Sequence, residues 1–211
     1  SLAHDAETVR ACQRLRYKVF AEELGADLAS KKTGLDVDGY DEYCQHLVVR
    51  DGRYGPVVGT TRLLLDSDAQ RAGGYYSQGE FDLTSVLAIP GRFMEVGRTC
   101  IHPEYRSGAA LGVLWQGLVR FMVLNEVDYL MGCASIPFGE DGRYSHAVVQ
   151  YVRQHFPAPP YLSVHPLVPV PARPAGAQVD AVIPPLLKTY LRFGAYVFSE
   201  PCWDPAFNVV D

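Results

Sequence analysis

The stretch "FMEVGRTCIHPEYRSGAALGVLW", residues 93–115, sets a carboxylate, Glu95, and a guanidinium, Arg98, inside an otherwise apolar strand-like run that leads through a basic turn into an apolar helix. A strand aimed at a helix start is a natural ligand mouth in an α/β fold. Side chains alternate along a strand, so residues three apart face opposite sides of the sheet. Gly97, between them, is therefore a place for a β-bulge that re-aims one side chain and frees a backbone N–H, a device enriched beside active sites. Such an N–H at Gly97 or Arg98 can stabilise an oxyanion.

Working outward, the apolar spacing of Val9, Cys12, Val19 and Phe20 predicts a first helix from Asp5, its N-cap, to about Leu24, with Gly25 as the stop. Arg10, Arg14 and Lys18 line one basic face of it, whereas Arg16 falls on the inward stripe. After the loop "GLDVDGYDEYC", the runs "HLVVR" and "PVVGTTRLLL" read as antiparallel strands joined at Asp51-Gly52. A glycine and tyrosine loop precedes the opening strand. The helix that follows it spans about Ala110 to Asn125, with Leu111, Leu114, Trp115, Leu118, Phe121 and Met122 inward.

Further strands are expected at "YLMGCASI" and "AYVFSE", and helices at Tyr144–His155 and "PPLLKTYLRFG", stopped by Gly194. Residues 157–176 are too rich in proline for a central strand or helix. The order of elements predicts one α/β domain over residues 1–211, a mixed central sheet flanked by helices.

The chain has 211 residues, 48% hydrophobic and 20% charged, with a net charge of -5. That balance argues against nucleic acid as a partner, since phosphate neutralisation needs excess Lys and Arg. Five scattered cysteines without a C-x-x-C pair fit a reducing, cytoplasmic setting. No apolar run reaches the length of about 20 residues that spans a bilayer, so membrane contact would be peripheral. Histidine and cysteine spacing gives no metal site.

Arg16, Asp38, Asp41, Arg62, Glu95 and Arg98 are charged residues that the pattern places at buried or half-buried spots. A structural ion-pair network accounts for such a set, and so does a catalytic site. Cys100 and Cys133, with His102 nearby in sequence, lie in apolar strand patterns and read as inert core thiols rather than nucleophiles. Ser135 lacks the G-x-S-x-G setting of a serine nucleophile.

The strings "LRYKVFAEELG", "GLDVDGYDEYCQHLVV", "VVGTTRLL", "EVGRTCIHPEYR", "YLMGCASI" and "PPLLKTYLRFGAYV…PCWDPAF" resemble, in this order, the bacterial ornithine N-acyltransferases that make lyso-ornithine lipid. These are GNAT-fold enzymes related to acyl-homoserine-lactone synthases, and the likeness touches nearly the whole chain. The resemblance implies transfer of a fatty acyl group, typically 3-hydroxyacyl, from acyl carrier protein to the α-amine of an amino acid, ornithine first. An acyl-homoserine-lactone-type or other N-acyl amino acid synthase, or a non-catalytic acyl or carrier-protein binder, is the alternative.

The resemblance places Arg16, Asp38, Asp41, Arg62, Glu95 and Arg98 around the acyl donor and the reacting amine. Glu95 is then the expected base, acting on the amine directly or through one water. Arg62 or Arg98 would meet the acceptor's carboxylate, and Asp38 or Asp41 its side-chain amine.

Acetyl-CoA-using members of the fold carry a Q/R-x-x-G-x-G/A turn that cradles the pyrophosphate. Here Arg106, Ser107, Gly108 and Ala109 do not keep that spacing. The turn is expected to hold the single phosphate of an acyl-phosphopantetheine arm, with no bound cofactor and with acyl-CoA as the second choice of donor. The basic face Arg10, Arg14, Lys18, with Lys31 and Lys32, is either a solvated helix face or the seat of an acidic carrier protein. The acyl chain needs an apolar slot, for which Trp115 and the proline-rich segment are candidates, although core packing suffices for Trp115. The reaction is placed in the cytoplasm, with peripheral contact at the inner membrane.

Overall fold

The computed structural model describes residues 1–106, 109–139, 141–171, 180–198 and 200–211, the Lys31 side chain excepted. In chain order the elements are α1 (Ala6–Tyr17), β1 (Gln45–Arg50), β2 (Val57–Leu65), α2 (Asp66–Ala72), β3 (Phe81–Asp82), α3 (Thr84–Leu87), β4 (Phe93–Ile101), α4 (Ala109–Leu124) and β5 (Tyr129–Met131). They continue as β6 (Ile136–Pro137), α5 (Arg143–His155), β7 (His165–Pro166), α6 (Pro185–Arg192), β8 (Trp203–Asp204) and β9 (Val209–Val210). The chain packs as two compact units, Ser1–Tyr76 with Gly91–Gly132, and Ser77–Pro90 with Cys133–Asp211.

The first unit holds a mixed four-stranded sheet of order β1-β2-β4-β5. β1 and β4 each run antiparallel to β2, and β5 runs parallel to β4, with Glu95 beside Met131. Asp5 caps α1 as its residue type predicts, its Oδ1 accepting the Thr8 N–H at 2.7 Å. The helical path continues through a π-helical segment, Lys18–Glu23, and turns at Gly25 with φ 78°.

Cys12, Leu15 and Val19 pack with Val48, Val57 and Cys100 of the sheet. Each buried aliphatic side chain of this kind contributes on the order of 2 kcal/mol. Val48 and Leu47 are consecutive in a strand and so face opposite sides. On the Leu47 side lies α4, close enough that a Cβ at Gly117 would stand 3.2 Å from the Leu47 side chain. α1 and α4 therefore cover opposite faces of a mixed sheet, the architecture expected. Of the six residues assigned to the inner stripe of α4, Leu114, Trp115, Leu118 and Phe121 are buried, and Leu111 and Met122 are half-buried.

The run "YLMGCASI" is not one strand. β5 stops at Met131, and Ile136 belongs to β6 in a second sheet, of order β6-β9-β8. Gly132 marks the break. A Cβ there would stand 2.3 Å from the Val96 carbonyl oxygen, so the backbones approach where only glycine fits.

In the second unit Val148 and Val152 of α5 pack with Leu187 and Leu191 of α6 and with Ile136 and Val210. Gly194 ends the last helix with φ 86°. Among the described residues of "AYVFSE", Val197 makes a bridge with Pro157 in place of a strand, Ser199 lies outside the described residues, and the end strands are β8 and β9. Within 157–171 the chain is irregular apart from short pairings such as β7 with β3.

Candidate active site

The loop after α1 brings three carboxylates to three guanidinium groups. Arg16 is fully buried and holds Asp41 with both terminal nitrogens, at 2.9 and 2.8 Å. Its Nε lies 2.9 Å from Asp36 Oδ2, and Nη2 also donates to the Asp36 carbonyl oxygen. Gln13 Nε2 adds a hydrogen bond to Asp41 Oδ2 at 3.1 Å. Arg62, from the centre of β2, donates to Asp38 Oδ1 and to Asp41 Oδ1, the latter at 3.2 Å.

Burial alone would raise the Asp41 carboxyl, but Arg16, Arg62 and His46 outweigh it and bring it down to about 2. Burial works against the charge of Arg62 as well, and Asp38 and Asp41 more than restore it. His46 is pushed below its ordinary value by burial and by Arg16, so this histidine is neutral at physiological pH. Buried charges persist because each has a partner of opposite sign.

The expected bulge is present, one residue beyond Gly97. Thr60 faces Cys100 and Arg62 faces Gly97, so Thr61 alone spans Arg98 and Thr99. Arg98 takes a left-handed backbone, φ 50°, a conformation that costs a residue with a Cβ about 1 kcal/mol. Thr61 Oγ1 bridges the irregularity, donating to the Gly97 carbonyl oxygen at 3.2 Å and lying 2.7 Å from Thr99 Oγ1.

The bulge turns the Arg98 guanidinium toward the acid loop, with Nε 3.4 Å from Asp36 Oδ2 and Nη2 3.6 Å from Asp38 Oδ2. Asp38, 26% exposed, and Arg98, 13% exposed, form the accessible end of the network, whereas Arg16, Asp36, Asp41 and Arg62 lie at its closed end.

The sequence pattern groups Glu95 with the network, but Asp36 holds the place of the third acid. The buried Glu95 side chain instead accepts the backbone N–H of Tyr76 at Oε2, 2.7 Å away. The Tyr76 ring lies over Arg98, its centroid 5.0 Å from Cζ, so Glu95 and Arg98 meet the same residue on one side of the bulged strand. Tyr40 completes the surround. Its ring meets Tyr76 edge-on at 5.7 Å, and its phenol is pushed up by burial and by the nearby charges of Glu95 and Asp38.

Asp36, Tyr40 and Tyr76 were not singled out in the sequence. The Asp-x-Asp spacing of 36 and 38, and the two glycines ahead of Tyr75-Tyr76, are the signals that mark them.

Ser107 and Gly108 lie outside the described residues, and Ala109 is the first residue of α4. Arg106 is occupied within the chain. Its terminal nitrogens meet the two Glu23 carboxylate oxygens at 2.5 and 2.7 Å, and its Nε donates to the Ile101 carbonyl oxygen. Arg10, Arg14 and Lys18 are exposed, and Lys18 Nζ lies 2.8 Å from His102 Nε2.

All five cysteines are free. Burial raises the thiols of Cys100 and Cys133 well above their ordinary value, so neither is a thiolate at neutral pH. Among the described residues, Glu80, Cys133 and Asp211 of the second unit bring ligand atoms within 4.8 Å of one another. Burial first, and then the two acids, raise that thiol well above its ordinary value. No described helix is long and apolar enough to cross a membrane.

Residues 15–116 match the family model of the acetyltransferase (GNAT) domain. The L-ornithine N(alpha)-acyltransferase of Rhodobacter capsulatus is 36% identical over 224 residues, covering 100% of this chain and 86% of that protein. The enzyme of the same name from Agrobacterium fabrum is 36% identical over 229 residues, covering 100% of this chain and 77% of that one. Among solved structures, the CoA-dependent acyl-homoserine lactone synthase BjaI, with SAM and isopentyl-CoA, aligns at a TM-score of 0.49 and 23% identity, over 67% of this chain and 65% of that one.

A mixed sheet covered by helices on both faces, together with the family-model match and the sequence relatives, defines an acyltransferase of the GNAT class. Within that class the chain belongs to the L-ornithine N(alpha)-acyltransferase family.

Proposed function

We propose that the chain moves a fatty acyl group, typically 3-hydroxyacyl, from the phosphopantetheine thioester of acyl carrier protein to the α-amine of L-ornithine. The observation that carries this reading is the convergence of Glu95, Arg98 and Asp38 around Tyr76 and Tyr40, beside the β4 bulge. The names of the relatives supply the acceptor, and the chain would work as one domain over residues 1–211.

An ammonium cannot attack a thioester, so the acceptor must first lose a proton. Glu95 takes it, directly or through one water. The freed nitrogen attacks the thioester carbonyl carbon, and a tetrahedral oxyanion forms beside the backbone N–H groups at Gly97 and Arg98. The C–S bond breaks and the pantetheine sulfur leaves, ending as a thiol with the proton released along the way. The products are an N-acyl amino acid and free carrier protein, with no covalent enzyme intermediate.

Arg98 suits the acceptor's carboxylate and Asp38 its side-chain ammonium, because these two form the accessible end of the network. Arg16, Asp41 and Arg62 hold the loop that presents Asp38. Arg106 would meet the donor phosphate by exchanging Glu23 for it. The exposed Arg10, Arg14 and Lys18 would receive an acidic carrier protein, in the cytoplasm or at the inner-membrane surface.

The test is mass spectrometry of products from 3-hydroxyacyl carrier protein with a pool of amino acids, run in parallel with 3-hydroxyacyl-CoA. N-acylornithine formed from the carrier protein and absent in Glu95→Gln is the expected result. Another acylated amino acid would replace ornithine as acceptor. A CoA preference would replace the carrier protein as donor.

A further inference from the structure

We infer that Tyr76 is a positioning residue for acyl transfer, its backbone N–H fixing the Glu95 carboxylate while its ring covers the Arg98 guanidinium. This inference rests on Glu95 being the base.

The placement starts in the sequence "RAGGYY", residues 71–76. α2 ends at Ala72, and Gly73 follows with φ 88° and Gly74 with φ 139°, conformations that residues with a side chain rarely adopt. Gly74 N–H returns to the Ala69 carbonyl oxygen at 2.8 Å, which fixes the reversal. The chain then buries Tyr75, whose hydroxyl donates to the Phe93 carbonyl oxygen at 3.4 Å, and delivers the next amide to Glu95 Oε2 at 2.7 Å.

The same residue sets its ring against Arg98 and against Tyr40, whose own N–H donates to Asp38 Oδ1 at 3.0 Å. Tyr76 thus joins the acid loop, the bulge arginine and the carboxylate through one side chain and one amide.

Each contact has a chemical consequence. An N–H aimed at a carboxylate stabilises the ionised form, which burial would otherwise disfavour. A ring over a guanidinium stabilises the cation and restricts its motion, holding Arg98 in one orientation for the acceptor's carboxylate.

The two contacts separate in kinetics. pH profiles of kcat/KM, with 3-hydroxyacyl carrier protein and ornithine, would be compared for the wild type, Gly74→Ala, Tyr76→Leu, Tyr76→Phe and Glu95→Gln. Gly74→Ala strains the turn that delivers the amide, so the acid limb moves to higher pH by about one unit. Tyr76→Leu uncovers Arg98 and raises the acceptor KM about tenfold, with a smaller change in kcat. Tyr76→Phe keeps the ring and the amide but loses the hydroxyl's hydrogen bond to Arg98, so its acceptor KM falls between those of the wild type and Tyr76→Leu.

An unmoved acid limb in folded Gly74→Ala, together with an unchanged acceptor KM in Tyr76→Leu, would overturn the inference. Should Gly74→Ala fail to fold, the Tyr76→Leu and Tyr76→Phe pair decides it alone. Full activity of Glu95→Gln removes the base itself, a failure distinct from that of Tyr76.

Discussion

Arg16 grips Asp41 through both terminal nitrogens of its guanidinium, at 2.9 and 2.8 Å, with the arginine fully buried. A buried pair of this kind is weak evidence of net stabilisation, yet breaking one half of it leaves charge without a counter-ion. Arg16→Leu removes the main partner of both acids, leaving Asp41 with Arg62 at 3.2 Å and Asp36 with Arg98 at 3.4 Å in a buried setting. The expected loss is about 3–5 kcal/mol of unfolding free energy, read from urea denaturation. Loss of transfer activity should follow the loss of fold, so the fraction that remains folded should retain measurable turnover.

The same pair sets the response to acid. The Asp41 carboxyl is held at about 2, against an ordinary value of 3.8, so the folded state binds its proton less readily than the unfolded state. Its contribution, on the order of 2 kcal/mol, is present above pH 4 and disappears as pH falls toward 2. Melting temperatures measured from pH 5 to pH 2 should drop most steeply below pH 4. Asp41→Asn should flatten that segment while lowering stability at neutral pH.

Arg98 separates stability from activity. Its left-handed backbone is a conformation that glycine adopts without strain, and Asp36 and Asp38 retain Arg16 and Arg62 as partners when it is removed. Arg98→Gly is expected to unfold within about 1 kcal/mol of the wild type while losing about 100-fold in kcat/KM for the acceptor. Denaturation and initial-rate measurements on one preparation check both halves.

Glu23 and Arg106 form a two-point ion pair near the surface, worth under about 1 kcal/mol to stability. Glu23→Gln should leave the melting temperature nearly unchanged and lower the donor KM, because Arg106 no longer has to leave a carboxylate to meet a phosphate. Arg106→Ala should raise the donor KM.

Much of this arrangement was legible in the sequence where one physical signal dominated. Asp5 as a cap, Arg16 on an inward stripe and Gly194 as a stop each follow from local chemistry, and the mixed sheet follows from the order of elements. The bulge was legible in kind because Glu95 and Arg98 sit three apart, but its position at Arg98 depends on the register of β2, which no local signal fixes.

Asp36 was missed because its role comes from long-range packing of a loop against Arg16 and Arg98. Tyr76 was missed because its contact with Glu95 uses the backbone, and a sequence pattern reports side chains. The break at Gly132 escaped because "YLMGCASI" is apolar throughout, and apolarity does not reveal which sheet receives each half.

The central claim is that Glu95 takes the proton from the acceptor's amine. Its most direct test is single-turnover thiol release from 3-hydroxyacyl carrier protein with ornithine present, comparing wild type with a folded Glu95→Gln. A fall of at least about 100-fold at pH 7, with donor binding unchanged, is predicted for the loss of a general base. Release within twofold of the wild-type rate would contradict the account.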